Sequence, residues 1–159
     1  MARLEQWNKA PGFNLPDQSG RQIDLDAFRG KKLLLYFYPK ALTSGCTMQA
    51  QEVSAAREEL ERAGVEAVGI SQDTQPVLKK FDERHELNFP LLSDADHAVA
   101  EAYGVWGEKN MAGRMSFCII RSSFLIDEHG KVMKAWYKVS PKDTVPLAMR
   151  ELEGYRQQK

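Results

Sequence analysis

Cysteine is scarce in this chain. Only Cys46 and Cys118 occur among 159 residues, and two thiols do not make the disulfide framework of a small secreted domain. They are far apart, so there is no CxxC pair of the kind used by dithiol electron carriers. Long apolar runs are also missing, and nothing approaches the roughly 20 residues that a membrane-spanning helix needs. The opening stretch, MARLEQWNKAPGF, has no apolar core and so does not read as a signal peptide. Neither sign of charge is in excess: 22 basic residues stand against 22 acidic ones. That balance gives no reason to expect a nucleic acid or an anionic membrane as partner. These absences together point to a cytoplasmic protein with reduced thiols, each of them either catalytic or buried.

The chain that remains is ordinary in composition, 43% hydrophobic and 28% charged, as expected of a soluble globular protein. Its length suits one domain over 1–159 with a real core. Residues 1–32 read as an irregular arm with a β-hairpin. Phe13 and Leu15 alternate on one side of the turn Asp17–Gly20, and Ile23 and Leu25 on the other. Asp26–Gly30 reads as one helical turn closed by glycine.

Leu33–Tyr38 is continuous and aromatic-rich, as in a central strand covered on both faces. From Cys46 to Ala63, small or apolar residues recur at positions 46, 50, 53, 56, 60 and 63, one stripe of a helix that Gly64 ends. Val65–Ile70 predicts a second buried strand. A helix then opens at Pro76 and runs to about Glu86. Pro90–Leu92 predicts a short strand and Ala98–Tyr103 a short helix, and residues 106–116 predict a loop because they are polar and contain glycine. Ile119–Ile126 and Val132–Val139 predict a hairpin, and Ser140-Pro141 opens a last helix with Val145, Ala148, Leu152 and Tyr155 on its buried stripe. Helices between strands imply a mixed central sheet covered on both faces, an α/β fold of the thioredoxin-like kind with an N-terminal β-hairpin.

Cys46 falls where the strand Leu33–Tyr38 gives way to a helix, the crevice where open α/β sheets bind ligands. A helix amino terminus favours the thiolate, which is the reactive form of cysteine. Burial as a small hydrophobe is the competing reading. His85, His97 and His129 fall in a helix, before a helix and in a turn, so no histidine base for a cysteine hydrolase and no metal set is expected. Gly30-Lys31-Lys32 lacks the rest of a phosphate loop.

The segment Phe37-Tyr38-Pro39-Lys40-Ala41-Leu42-Thr43-Ser44-Gly45-Cys46-Thr47 resembles the P-x-x-x-T-x-x-C signature of peroxiredoxins, in particular the peroxiredoxin Q or bacterioferritin comigratory protein subfamily. The likeness extends along nearly the whole chain, through Ala10–Asp17, Val68–Ser71, Phe89–Asp94, Ala102–Val105 and Arg121–Asp127. It implies a thiol peroxidase with Cys46 as the nucleophile that becomes a sulfenic acid. It also implies Thr43 hydrogen-bonding sulfur and peroxide, Arg121 stabilising the thiolate and the leaving oxygen, and Pro39 shielding the site. No cofactor or metal is implied. The partners implied are a peroxide, a thiol reductant such as thioredoxin or glutaredoxin, and a chain that is a monomer or weak dimer. Without the resemblance, Thr43 would cap the helix, Pro39 would end the strand and Arg121 would be an exposed strand residue.

One departure matters. Many members carry a resolving cysteine five residues after the nucleophile, where this chain has Gln51, and a subgroup has it on the next helix, where Asp82–Asn88 has none. Cys118 reads as a small apolar residue starting a strand, or as an unorthodox resolving thiol. A one-cysteine cycle is therefore expected, with a slow redox sensor or binding module on the same scaffold as the alternative. Gly45 before Cys46 suggests a pliable turn that lets the helix unwind locally during the cycle.

Overall fold

A computed structural model of the chain describes residues 3–157. Met1 and Ala2 of the expected arm, and Gln158 and Lys159, lie outside them. The elements follow the order β1 (Asn14–Pro16), β2 (Gln22–Asp24), a 3-10 turn (Leu25–Phe28), β3 (Lys32–Phe37), α1 (Ser44–Arg62), β4 (Val65–Ser71), α2 (Gln75–His85) and β5 (Leu91–Ser93). After them come α3 (Ala98–Ala102), β6 (Trp106–Met111), β7 (Arg114–Ile119), β8 (Ser122–Ile126), β9 (Val132–Trp136), a 3-10 turn (Pro141–Asp143) and α4 (Thr144–Gln157).

The main sheet has the order β5-β4-β3-β8-β9. Strand β3 lies in the middle, parallel to β4 and antiparallel to β8. Its unbroken apolar run follows from that place, because both faces of a central strand are covered. Leu34, Tyr36 and Tyr38 pack with Ala50, Val53 and Leu60 of α1, Leu78 and Phe81 of α2, and Ala148 and Leu152 of α4. Leu33, Leu35 and Phe37 pack on the opposite face with Phe13, Val99, Ala100 and Tyr103. Each leucine, valine or phenylalanine among them stabilises the fold by about 1.5–3 kcal/mol on removal from water. The thioredoxin-like α/β arrangement read from the sequence is the one observed.

Local chemistry explains most of the boundaries. Asp17 closes the β1–β2 turn, its Oδ1 accepting from the amides of Ser19 and Arg21 at 2.8 and 3.0 Å. Gly64 ends α1 with φ of 77°, and Pro76 occupies the first turn of α2.

Three expectations are corrected. Residues 106–116 are not a loop: Trp106–Met111 pairs antiparallel with Arg114–Ile119 in a separate two-stranded sheet. Its turn, Ala112-Gly113, has positive φ at both residues, 54° and 81°, the requirement of a two-residue hairpin turn. The strands escaped notice because most of β7 is exposed and carries no buried alternation. Second, Ile119–Ile126 is not one strand. The chain leaves β7 at Ile119, turns at Ile120-Arg121 and joins the main sheet at Ser122, whose hydroxyl donates to the Ile120 carbonyl at 2.8 Å. Third, the returning strand stops at Trp136, short of Lys138, which has φ of 57°.

Gly69 on β4 marks a tight spot in this core. A Cβ there would lie 3.0 Å from the Tyr36 Cζ and Oη atoms and 3.1 Å from Tyr38 Cε1. Both residues are fully buried, Tyr36 on β3 and Tyr38 just past its end, and have little room to move. Gly69→Ala is expected to lower stability by about 1–3 kcal/mol through overpacking; urea unfolding followed by tryptophan fluorescence measures it.

Candidate active site

The sequence stops β3 at Phe37, and Pro39 cannot donate to a further ladder. The residues that follow turn over the carboxyl end of the sheet and enter α1. Thr43 is the residue that starts the helix, so Ser44, Gly45 and Cys46 form its first turn. Cys46 is thereby placed against the positive end of a helix of 19 residues. Its side chain is turned inward, 2% exposed.

The turn itself is held from β4. Asp73, just beyond that strand, accepts from the Ala41 amide at 2.7 Å and from the Ser71 hydroxyl at 2.7 Å. Ala41 is buried, and its neighbour Leu42 sits in the left-handed region at φ of 66°. Such a conformation in a non-glycine residue costs about 1–3 kcal/mol and persists only where surrounding contacts impose it.

Arg121 comes to the same place from the other side. Phe37 of β3 pairs with Ser122 of β8, so the Ile120-Arg121 corner lies level with the carboxyl end of β3. The guanidinium Nη2 donates to the Cys46 sulfur at 3.3 Å, and Nη1 donates to the Gln49 side-chain oxygen. Gln49, fully buried, donates in turn from Nε2 to the Thr144 hydroxyl at 2.7 Å. A cation in contact with sulfur favours negative charge there. Burial pushes the Tyr36 and Tyr38 phenols well up from their usual range, so they stay neutral beneath the site.

Of the residues singled out from the sequence, Cys46 and Arg121 are in direct contact. Pro39 is half-buried where the strand ends. Thr43 is exposed, makes no side-chain capping bond, and donates its hydroxyl to the Lys40 carbonyl at 2.7 Å. Arg121 lies at a corner between two sheets, not within a strand. Gly45 has a spatial role: a Cβ there would lie 3.3 Å from Pro141 Cγ and 3.5 Å from Arg121 Nη2. Gln49, Thr144 and Asp73 were not found from sequence. Gln49 had a signal, a polar residue three positions after Cys46 on a stripe that is otherwise small or apolar. Cys118 is half-buried on β7, paired with Gly107 of β6.

Among the described residues no three His, Cys, Asp or Glu side chains are grouped to hold a metal ion, and no helix is long and apolar enough to cross a membrane. The chain matches the AhpC/TSA family over residues 7–135. It belongs to that family. The AhpC/TSA chain is 50% identical over 143 residues to the putative peroxiredoxin bcp of Haemophilus influenzae, covering 90% of this chain and 92% of that one. It is 50% identical over 132 residues to peroxiredoxin Bcp of Escherichia coli K12, covering 83% and 85%. A solved structure of the Xanthomonas campestris bacterioferritin comigratory protein, described for its alkyl peroxide reduction activity, superposes with a TM-score of 0.84 at 34% identity, covering 90% and 91%. Its place among the peroxiredoxins of the Bcp and Q type makes this AhpC/TSA protein a thiol-dependent peroxidase.

Asp73 gives a test of how the site is held. Asp73→Ala leaves the buried Ala41 amide without its acceptor, which costs about 1–3 kcal/mol. The expected result is a several-fold loss of peroxide consumption, on the order of the population shift that energy allows, together with a lowered melting temperature. Asp73→Asn keeps an acceptor oxygen and is expected to retain most of both.

Proposed function

We propose that this peroxidase works by a one-cysteine cycle centred on Cys46. The observation that carries the reading is the 3.3 Å contact between Arg121 Nη2 and the Cys46 sulfur at the first turn of α1. The sulfur supplies an electron pair to the terminal oxygen of a peroxide, the O–O bond breaks, and the departing oxygen takes up a proton and leaves as water or an alcohol. Sulfur is left as a sulfenic acid. Arg121 acts on charge in both halves of this step, first on the thiolate and then on the leaving oxygen. Thr43, three residues before the sulfur, orients the peroxide through its hydroxyl, and Pro39 keeps water from the sulfur. Hydrogen peroxide and small organic hydroperoxides are the substrates, the latter in keeping with the alkyl peroxide activity of the Xanthomonas relative.

Gln51 occupies the usual resolving position and sits against His85 of α2 at 3.5 Å. With no thiol there, the sulfenic acid is reduced by an external thiol, thioredoxin or glutaredoxin: one thiol forms a mixed disulfide and releases water, and a second frees Cys46. The whole chain acts as one domain, monomeric or weakly dimeric, in the cytoplasm. The sensor reading rests on the same Gln51 and differs only in turnover.

Hydrogen-peroxide consumption by wild type, Cys46→Ser and Cys118→Ser, driven by thioredoxin, glutaredoxin or dithiothreitol, tests this. The expected result is loss in Cys46→Ser alone. If Cys118→Ser fails with thioredoxin and works with dithiothreitol, Cys118 is the resolving thiol and the one-cysteine cycle is wrong. If wild type turns over with none of the three, the sensor reading replaces the cycle.

A further inference from the structure

Arg121 touches two groups, and only one of them reacts. Its second partner, Gln49, is a primary amide with unlike ends. A guanidinium carries donors and no acceptor, so Gln49 can hold Arg121 only by turning its oxygen towards it. That choice commits the other end, the Nε2 donor, to the interior, where both Gln49 and its surroundings are closed to solvent. A buried donor needs an acceptor. Among the described residues that acceptor is the hydroxyl of Thr144, 2.7 Å away, 1% exposed, at the first residue of α4.

We infer that Thr144 is a positioning residue for the peroxidase site: by accepting from Gln49 Nε2 it fixes the orientation of the Gln49 amide, which holds Arg121 against Cys46. The inference rests on the reading above that Cys46 reacts under the charge of Arg121. It assigns a role in chemistry to the C-terminal helix, which contributes no atom to the reaction. A second contact places the same segment at the site independently, since Pro141 lies over the space that a Cβ on Gly45 would take. Without the hydroxyl, the Gln49 amide satisfies its nitrogen only by turning away, and that turn presents a donor to the guanidinium or releases it. Arg121 then loses the partner that keeps Nη2 on sulfur.

A carboxylate has no such directionality, because both oxygens accept. This supplies the test. In a Cys118→Ser background, the unchanged protein, Thr144→Val, Thr144→Ser, Gln49→Glu and the Thr144→Val, Gln49→Glu pair are compared. Two quantities are read for each: the pH profile of Cys46 alkylation by iodoacetamide, and the second-order rate of hydrogen-peroxide consumption. Thr144→Val is expected to move the alkylation profile upward by roughly one pH unit and to lower the peroxide rate roughly tenfold, the scale of one buried hydrogen bond to a charged network. Thr144→Ser keeps the hydroxyl and is expected to stay within about twofold of the unchanged protein. In the Gln49→Glu background, Thr144→Val is expected to add nothing further, the non-additivity of residues acting in one chain.

An unmoved alkylation profile in Thr144→Val overturns the inference. So does an equal loss with and without Gln49→Glu, or a loss that Thr144→Ser shares. If Thr144→Val fails to fold, the Thr144→Ala pair with and without Gln49→Glu gives the same comparison. The alkylation profile reports the state of Cys46 whether or not it reduces peroxide. Peroxide consumption that survives Cys46→Ser would therefore sink the reading of Cys46 as the nucleophile, while the alkylation profile would still decide whether Thr144 positions Arg121 against the sulfur.

Discussion

A half-buried cation held against a buried sulfur is the constraint that organises the carboxyl end of this sheet. Arg121 and Cys46 come from distant parts of the chain and meet at 3.3 Å. Charge in a partly desolvated site is strongly favoured when paired and costly when not. The guanidinium is accordingly met by groups that accept or that give way. Gln49 accepts, Thr144 accepts from Gln49, and Gly45 gives way by having no side chain. Gly45 and Gln49 lie on successive turns of α1 and Thr144 opens α4, so two helices supply the groups around Arg121.

The loop that carries Thr43 into α1 is a second case of the same economy. It takes a left-handed residue at Leu42 and buries the amide of Ala41. Both are unfavourable by themselves, and Asp73 offsets them by accepting at 2.7 Å from Ala41. A strained turn over a strand end is a common way to present a reactive side chain. Here the left-handed residue, Leu42, sits between Pro39 and Cys46, four residues before the sulfur.

How the fold was legible in the sequence depends on which interactions are local. The Leu33–Tyr38 run, the stripe from Cys46 to Ala63, Gly64 after α1 and Pro76 in the first turn of α2 are signals carried by neighbouring residues, and each lies where the structure has the element. The hairpin β6–β7 escaped because it is a separate sheet with an exposed strand, so it leaves no buried alternation to read. The break at Ile120-Arg121 escaped because it arises from a change of strand partner, from β6 to β3 and β9.

By itself the sequence determined the strands and helices from Leu33 to Ala102, the helical setting of Cys46 and the family signature around it, because these depend on residues close together in the chain. It also determined that position 51 is glutamine, so no thiol follows Cys46 at that spacing. Only the tertiary structure decided which partners the Cys46 sulfur has. A guanidinium from a corner between two sheets, an amide on the next position of the same helix face and a hydroxyl from the C-terminal helix meet there through the strand order β4-β3-β8. Hydrogen bonds of that kind are fixed by distance and direction in space, and neither is written in the spacing of residues along a chain.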